Sequence, residues 1–246
     1  MLQDITNKVA WVTGASSGIG AAGARALALA GARVIISGRR EDRLKEVAAA
    51  IAGDVTPMPL DVADRDAVFA TTSQIAADFG QIDFLVHSAG LNVKERSWAD
   101  MPADNWEEVI QVDLNGAYYC CASVLPIMRQ QGGGLIINIS SWAGRYVSRV
   151  SGPAYSAAKH ALNAMNESIN QEECRYGIRA CAICPGEVAT EILDRRPVPV
   201  SAEDRAKMLQ SEDLGDLILY VCKAPPHVCL NEILISPTWN RGYIGR

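Results

Sequence analysis

What the chain lacks sets its first limits. It has no excess of positive charge, since 23 Lys and Arg stand against 28 Asp and Glu for a formal charge of -5. That balance argues against a nucleic-acid binder held by a basic surface. No apolar run approaches the roughly 18 residues of a membrane-spanning helix, and residues 1–7 carry none of the basic side chains that open a secretory leader. The expectation is a cytoplasmic protein with no membrane and no nucleic-acid partner. With 20 Gly, 11 Pro and 49% hydrophobic residues, the composition excludes fibrous, low-complexity and disordered chains. Histidines number only three, and no His, Cys and Asp grouping has metal-site spacing, so no metal is expected. The seven cysteines are odd in number and form no framework, which fits reduced thiols. Cys181 and Cys184 form a CxxC, but inside a β-like run. Redox pairs of this kind open a helix and zinc pairs need partners, so both read as small buried strand residues.

What is present is a regular alternation. Short apolar runs rich in Val and Ile recur at 8–13, 33–37, 55–60, 84–87, 135–140, 179–184 and 232–236, with helical segments between them. Runs apolar throughout suit strands covered on both faces. The fold class is therefore α/β, a doubly wound Rossmann-type domain with a mainly parallel seven-stranded sheet flanked by helices. Asp104 with Glu107 suggests a capping box opening a helix that runs to about Gln131. Pro153 stands where an N1 proline would start another, ending near Tyr176. No linker or repeat interrupts the pattern, so one continuous domain over 1–246 is expected, with 188–204 as a substrate loop.

Directly after the first strand comes Thr13-Gly14-Ala15-Ser16-Ser17-Gly18-Ile19-Gly20, followed by a helical stretch. Gly14, Gly18 and Gly20 let the backbone approach a pyrophosphate, met by Ser16, Ser17, Ile19 and the free N–H groups of the helix start. At the end of the second strand, where a carboxylate ordinarily bonds the ribose of NAD, the chain has Gly38-Arg39-Arg40. Arg39 and Arg40 suit a 2′-phosphate, so NADP(H) is preferred and NAD(H) stays open. Asp61 and Val62, closing the third strand, are placed beside the adenine, although Asp61 also fits a helix-cap role.

Tyr155 and Lys159 in Tyr155-Ser156-Ala157-Ala158-Lys159 share a helix face at i and i+4. A phenol with an ordinary pKa of about 10 is a poor base at neutral pH. Moving it to about 7 takes roughly 4 kcal/mol at 1.36 per unit, and a neighbouring ammonium acts in that direction. The order of motifs is specific: glycine turn, Ser140-Ser141 ending a strand, Tyr155 with Lys159, then Pro185-Gly186-Glu187-Val188-Ala189-Thr190. In this order the chain resembles the classical short-chain dehydrogenase/reductase family from Asn7 to Pro237.

The resemblance implies that Tyr155 is the general acid/base. Lys159 would lower its pKa and hold the nicotinamide ribose, while Ser141 would bond the substrate oxygen. It also implies that Ala89 and Gly90 lie beside the adenosine ribose, that Pro185, Gly186, Val188 and Thr190 run along the nicotinamide, and that the protein is a homotetramer or homodimer. The family's fourth catalytic position, usually Asn, falls on Asp113, which is carried as a further catalytic candidate. His87 replaces a customary Asn and is read as structural. Arg145, Tyr146 and Arg149 follow Ser141 on the substrate side, and the two arginines suit a small anionic hydroxy or oxo acid, with Lys94 and Arg96 following the Ala89-Gly90 turn that approaches the same cleft. The function expected is an NADP(H)-dependent alcohol dehydrogenase or carbonyl reductase. The alternatives are a non-catalytic NAD(P)-binding sensor and an epimerase or dehydratase with no net redox change.

Overall fold

A computed structural model of the protein describes residues 2–244. The expected strands form in order, with helices between them. They run β1 (Val9–Thr13), α1 (Gly18–Leu29), β2 (Arg33–Ser37), α2 (Glu41–Ala50), β3 (Val55–Pro57), α3 (Arg65–Phe79) and β4 (Phe84–His87). After them come α4 (Ala103–Ile110), α5 (Gly116–Gln131), β5 (Gly134–Ile139), α6 (Pro153–Glu173) and β6 (Ile178–Pro185). The last are α7 (Ala202–Ala206), α8 (Ser211–Lys223), β7 (Glu232–Ile235) and α9 (Arg241–Ile244).

All seven strands lie parallel in the order β3-β2-β1-β4-β5-β6-β7. Because each β1 residue is buried, the sheet must be covered on both sides, as its unbroken apolar runs imply. One layer packs Leu27 of α1, Leu44 of α2 and Ile218 of α8 against Val12, Ile36 and Ile183. The opposite layer packs Ile75 of α3, Val124 of α5 and Ile169 of α6 against Trp11, Leu85 and Ile136. Cys120, Cys121, Cys181, Cys184 and Cys222 are buried free thiols, whereas Cys174 and Cys229 are exposed.

Two helix boundaries differ from the sequence expectation. Pro102, not Asp104, occupies the N-cap of α4 and no side chain caps it. Asp104 sits inside the first turn, where its charge favours the helix dipole but cannot close a box with Glu107. Between α4 and α5 the chain makes a wide π-turn, Gln111–Asn115, so the stretch to Gln131 is not one regular helix. Such an insertion changes the angular phase of the side chains, and here it turns Asp113 into the interior at 0% exposure. Asn115 bonds Gln111 along the same segment instead.

The other long helix begins as expected, with Pro153 at N1 behind Gly152. Gly152 has φ +75°, and a Cβ there would lie 2.4 Å from the Arg96 carbonyl oxygen. Only glycine admits that approach.

Candidate active site

Strand order reverses between β1 and β4, and the crevice at their C-terminal ends is where open α/β sheets bind ligands. A cleft of about 1230 Å³ opens there, larger than the roughly 300–1,000 Å³ of an ordinary small-molecule pocket. Gly14 has φ +66°, and a Cβ on it would stand 2.6 Å from the Ala89 nitrogen. The two turns are therefore in contact through backbone alone. Gly20 is buried beneath this turn, 2.6 Å from the Gly14 carbonyl by the same construction. Ser16, Ser17, Gly18 and Ile19 form the adjoining wall. Ser17 occupies the N-cap of α1 without bonding its side chain to the first turn, so those N–H donors keep the anion-binding capacity of a helix start. The size of the cleft and this uncapped helix start fit a dinucleotide.

Arg39, Arg40, Asp61 and Val62 line the cleft with Ala89 and Gly90, and Gly90 reaches toward the catalytic candidates, since a Cβ on it would stand 3.3 Å from Lys159 Nζ. Arg40 Nη2 donates to Ser16 Oγ at 3.1 Å, to Ser17 Oγ at 3.0 Å and to Glu191 Oε2 at 3.1 Å. Glu191 also accepts from Arg43 at 3.3 Å. Sequence reasoning did not single out Glu191 or Arg43, and their only signal was Glu191's place immediately after Thr190. Asp61 Oδ1 accepts from the Ala63 amide, while Asp64 is the N-cap of α3.

Ser141, Tyr155 and Lys159 share the cleft wall with Pro185, Gly186, Val188 and Thr190. Lys159 is 3% exposed; its Nζ donates to the Ile139 carbonyl at 3.2 Å and stands 3.4 Å from Asp113 Oδ2. It also lies 5.4 Å from the centre of the Tyr155 ring. Asp113 Oδ1 accepts from the Leu91 amide at 2.7 Å. Ser141 Oγ accepts from Ala143 N, and Ser140 donates instead to the Lys159 carbonyl.

Desolvation pushes the Tyr155 phenol above its ordinary value, and Asp113 adds to that. Lys159, a hydrogen bond with Ser141 and the Arg96 charge pull the other way without prevailing. Lys159 therefore acts in the expected direction, but burial outweighs it. The Lys159 ammonium is itself opposed by burial, yet Asp113 and Tyr155 hold its pKa above the usual lysine value. Burial likewise raises Asp113 against the pull of Lys159.

His87 Nδ1 faces Thr13 Oγ1 at 3.0 Å, bonding β4 to β1. Full burial, with Lys159 nearby, depresses its pKa to about 3. The folded protein thus keeps this imidazole neutral, whereas the unfolded chain protonates it below about 6.5. Stability from this group is present above pH 6.5 and falls as pH drops toward 3, by about 1.4 kcal/mol per pH unit. His87→Asn is expected to remove that slope from urea-unfolding stabilities measured across this window. An unchanged slope would show that His87 protonates in the folded state.

The substrate-side expectation needs one correction. Tyr146 and Arg149 line the cleft, but Arg145 does not. Its Nε donates to Glu232 Oε1 at 2.6 Å, an ion pair that draws the side chain to the edge strand β7. Lys94 is exposed and also absent from the cleft wall. Arg96 is buried in it and ties its two sides together, donating to the carbonyls of Val150 and Arg195. The C-terminal segment folds back on its own chain: Arg241 grips Glu187 through both carboxylate oxygens, and Tyr243 packs edge-on against Trp142. Gly245 and Arg246 lie outside the described residues.

Known proteins resemble this chain in sequence and in fold. The short chain dehydrogenase family profile matches residues 8–198, and the chain belongs to that family. An uncharacterized oxidoreductase of Staphylococcus aureus (strain MRSA252) is 35% identical over 234 residues, covering 95% of this chain and 98% of that protein. Among solved structures, the alcohol dehydrogenase of the archaeon Thermococcus sibiricus complexed with 5-hydroxy-NADP matches with a TM-score of 0.85 and 26% identity, over 95% of this chain and 98% of that one. The closed form of a serine dehydrogenase complexed with NADP+ matches at 0.85 and 28%, over 93% and 94%. The protein is thus an oxidoreductase of the short-chain dehydrogenase family, with structural neighbours that bind NADP.

Proposed function

We propose that this chain is an NADP(H)-dependent alcohol dehydrogenase or carbonyl reductase that works on a small hydroxy or oxo compound. The observation that carries this reading is convergence: Ser141, Tyr155 and Lys159 line one end of a cleft whose other end holds the glycine turn and Arg40. A nicotinamide bound along that cleft supplies or accepts the hydride, and the chain positions and polarises. Tyr155 exchanges a proton with the substrate oxygen, and Ser141 steadies that oxygen as charge develops. Lys159 favours the phenolate and bonds the ribose hydroxyls. Asp113, through its one bond from the Leu91 amide and its contact with Lys159, stands where the family's Asn would and holds the ammonium in place.

In this reading residues 1–246 form a single cytoplasmic domain with 188–204 as the substrate loop, and copies assemble as a homotetramer or homodimer. No helix among the described residues is long and apolar enough to cross a membrane. The serine and alcohol dehydrogenase neighbours support a small alcohol as substrate class. The test is a nicotinamide-absorbance screen of hydroxy acids, sugars, amino alcohols and aldehydes with both cofactors. Turnover of at least one class with NADP(H) is expected, and none across the panel would overturn the reading.

Preference for the phosphorylated cofactor rests on Arg39 and Arg40. Charge-assisted bonds of about 1.5–3 kcal/mol make Arg40→Ala raise the KM for NADPH roughly ten- to hundred-fold while that for NADH stays within about two-fold. Parallel loss with both cofactors, or equal kcat/KM for both in the unmodified protein, would contradict the assignment.

A further inference from the structure

The substrate end of the cleft holds more hydrogen-bond donors than the chain itself satisfies. Arg96 is 6% exposed and Asn240 5%, and both line the cleft with Trp142. The Arg96 guanidinium donates to two backbone carbonyls, those of Val150 and Arg195, and no carboxylate pairs with it among the described residues. Its Nε has no partner, and neither has Trp142 Nε1 or Asn240 Nδ2. These three buried N–H groups come from separate segments: the loop after β4, the turn after β5 and the stretch after β7. An unsatisfied buried donor costs about 1–3 kcal/mol and a buried charge more, so three such donors on residues lining one cleft call for acceptors from outside.

The chain's own nearby carboxylates are already engaged. Glu187 is held by Arg196 and Arg241, and Glu191 by Arg40 and Arg43. Of the two buried cations in the wall, Lys159 has Asp113 beside it and Arg96 has no anion among the described residues.

We propose that the substrate carries a carboxylate, held by Arg96 with the Trp142 indole and the Asn240 amide, so that the enzyme's substrates are short hydroxy acids and their oxo acids. This rests on the reading of Tyr155 as the proton-exchanging group. A single buried uncompensated charge with two neutral donors matches a monoanion with two acceptor oxygens better than a phosphate dianion. Arg149, exposed at the mouth, adds long-range attraction for such a ligand. In the forward direction the carbinol C–H and O–H bonds break. The hydrogen leaves carbon with its electron pair for the oxidised nicotinamide, the hydroxyl proton goes to Tyr155, and an oxo acid remains.

The test pairs 3-hydroxybutanoate and 2-hydroxybutanoate with their methyl esters. Binding to the full chain is read from tryptophan fluorescence and turnover from nicotinamide absorbance with NADP+. For at least one pair the acid is expected to bind ten-fold or more tightly than its ester. Arg96→Gln is expected to bring that ratio toward one, and Asn240→Ala serves if the first variant fails to fold. Equal affinities of acid and ester in the unmodified protein, or an acid preference that survives both substitutions, would overturn the proposal. Acid-selective binding abolished by the substitutions, but without turnover of any hydroxy acid, would support the carboxylate site and defeat the dehydrogenase reading instead.

Discussion

Tyr155→Phe is expected to lower kcat by about 10²–10⁴-fold, the range for losing a positioned general acid/base, while NADPH binds with its original Kd. The substitution removes one oxygen and leaves the ring, whose centre lies 5.4 Å from Lys159 Nζ. The Lys159 bond to the Ile139 carbonyl and its contact with Asp113 do not involve that oxygen, so the packing around the ammonium persists. Desolvation holds the phenol above its ordinary pKa, and an oxidised nicotinamide bound beside it would add positive charge that acts to lower it. A variant that keeps full activity with bound cofactor would remove Tyr155 from the chemistry. Loss of cofactor binding along with activity would reassign it to a binding role.

Lys159→Met is expected to cost about 3–5 kcal/mol of folding stability as well as activity, because it leaves a buried carboxylate without its partner. Asp113 is 0% exposed, and its Oδ2 has no hydrogen bond beyond the 3.4 Å approach to Lys159. Adding Asp113→Asn to Lys159→Met should recover most of that stability, since an amide still accepts from Leu91 N and carries no charge to desolvate. Activity should stay lost. Urea unfolding of both single variants and the double variant measures the coupling, and a Lys159→Met protein as stable as the original would contradict the buried pair.

Asp113→Asn alone has a different readout. The carboxylate raises Tyr155, so its removal lowers the phenol pKa and shifts the rising limb of the oxidation pH profile to lower pH. An unchanged profile would leave Asp113 with no role beyond that of an asparagine.

The legible part of this protein was its periodic and local part. Strands such as β1, buried at every position, announce themselves as unbroken apolar runs, and the glycine turn follows from backbone requirements that only a few residue types meet. Helical spacing puts Tyr155 and Lys159 on one face, and the order of motifs around them carries the family resemblance that implies their role. What escaped depends on contacts between distant segments. Arg145 sits next to the Ser141 turn in sequence, yet Glu232, 87 positions away, captures it. The sequence places Arg96 near the cleft together with Lys94, but does not show that Arg96 alone is buried there, because that depends on the carbonyls of Val150 and Arg195 converging on it. The inward turn of Asp113 depends on one extra residue per turn in Gln111–Asn115, which no propensity pattern marked. Glu191 reaches the Arg40 side of the cleft only because the loop after β6 folds across it.

The central claim is hydride exchange between a nicotinamide and a carbonyl or alcohol carbon at Tyr155. Its most direct test incubates the protein with NADPH deuterated at the transferable position and the panel of oxo acids and aldehydes, with mass spectrometry of the products. Deuterium on the carbinol carbon of an alcohol product, absent with Tyr155→Phe, is the result predicted. NADPH that binds but delivers no deuterium to any product, or products isomerised or dehydrated without net cofactor consumption, would contradict it.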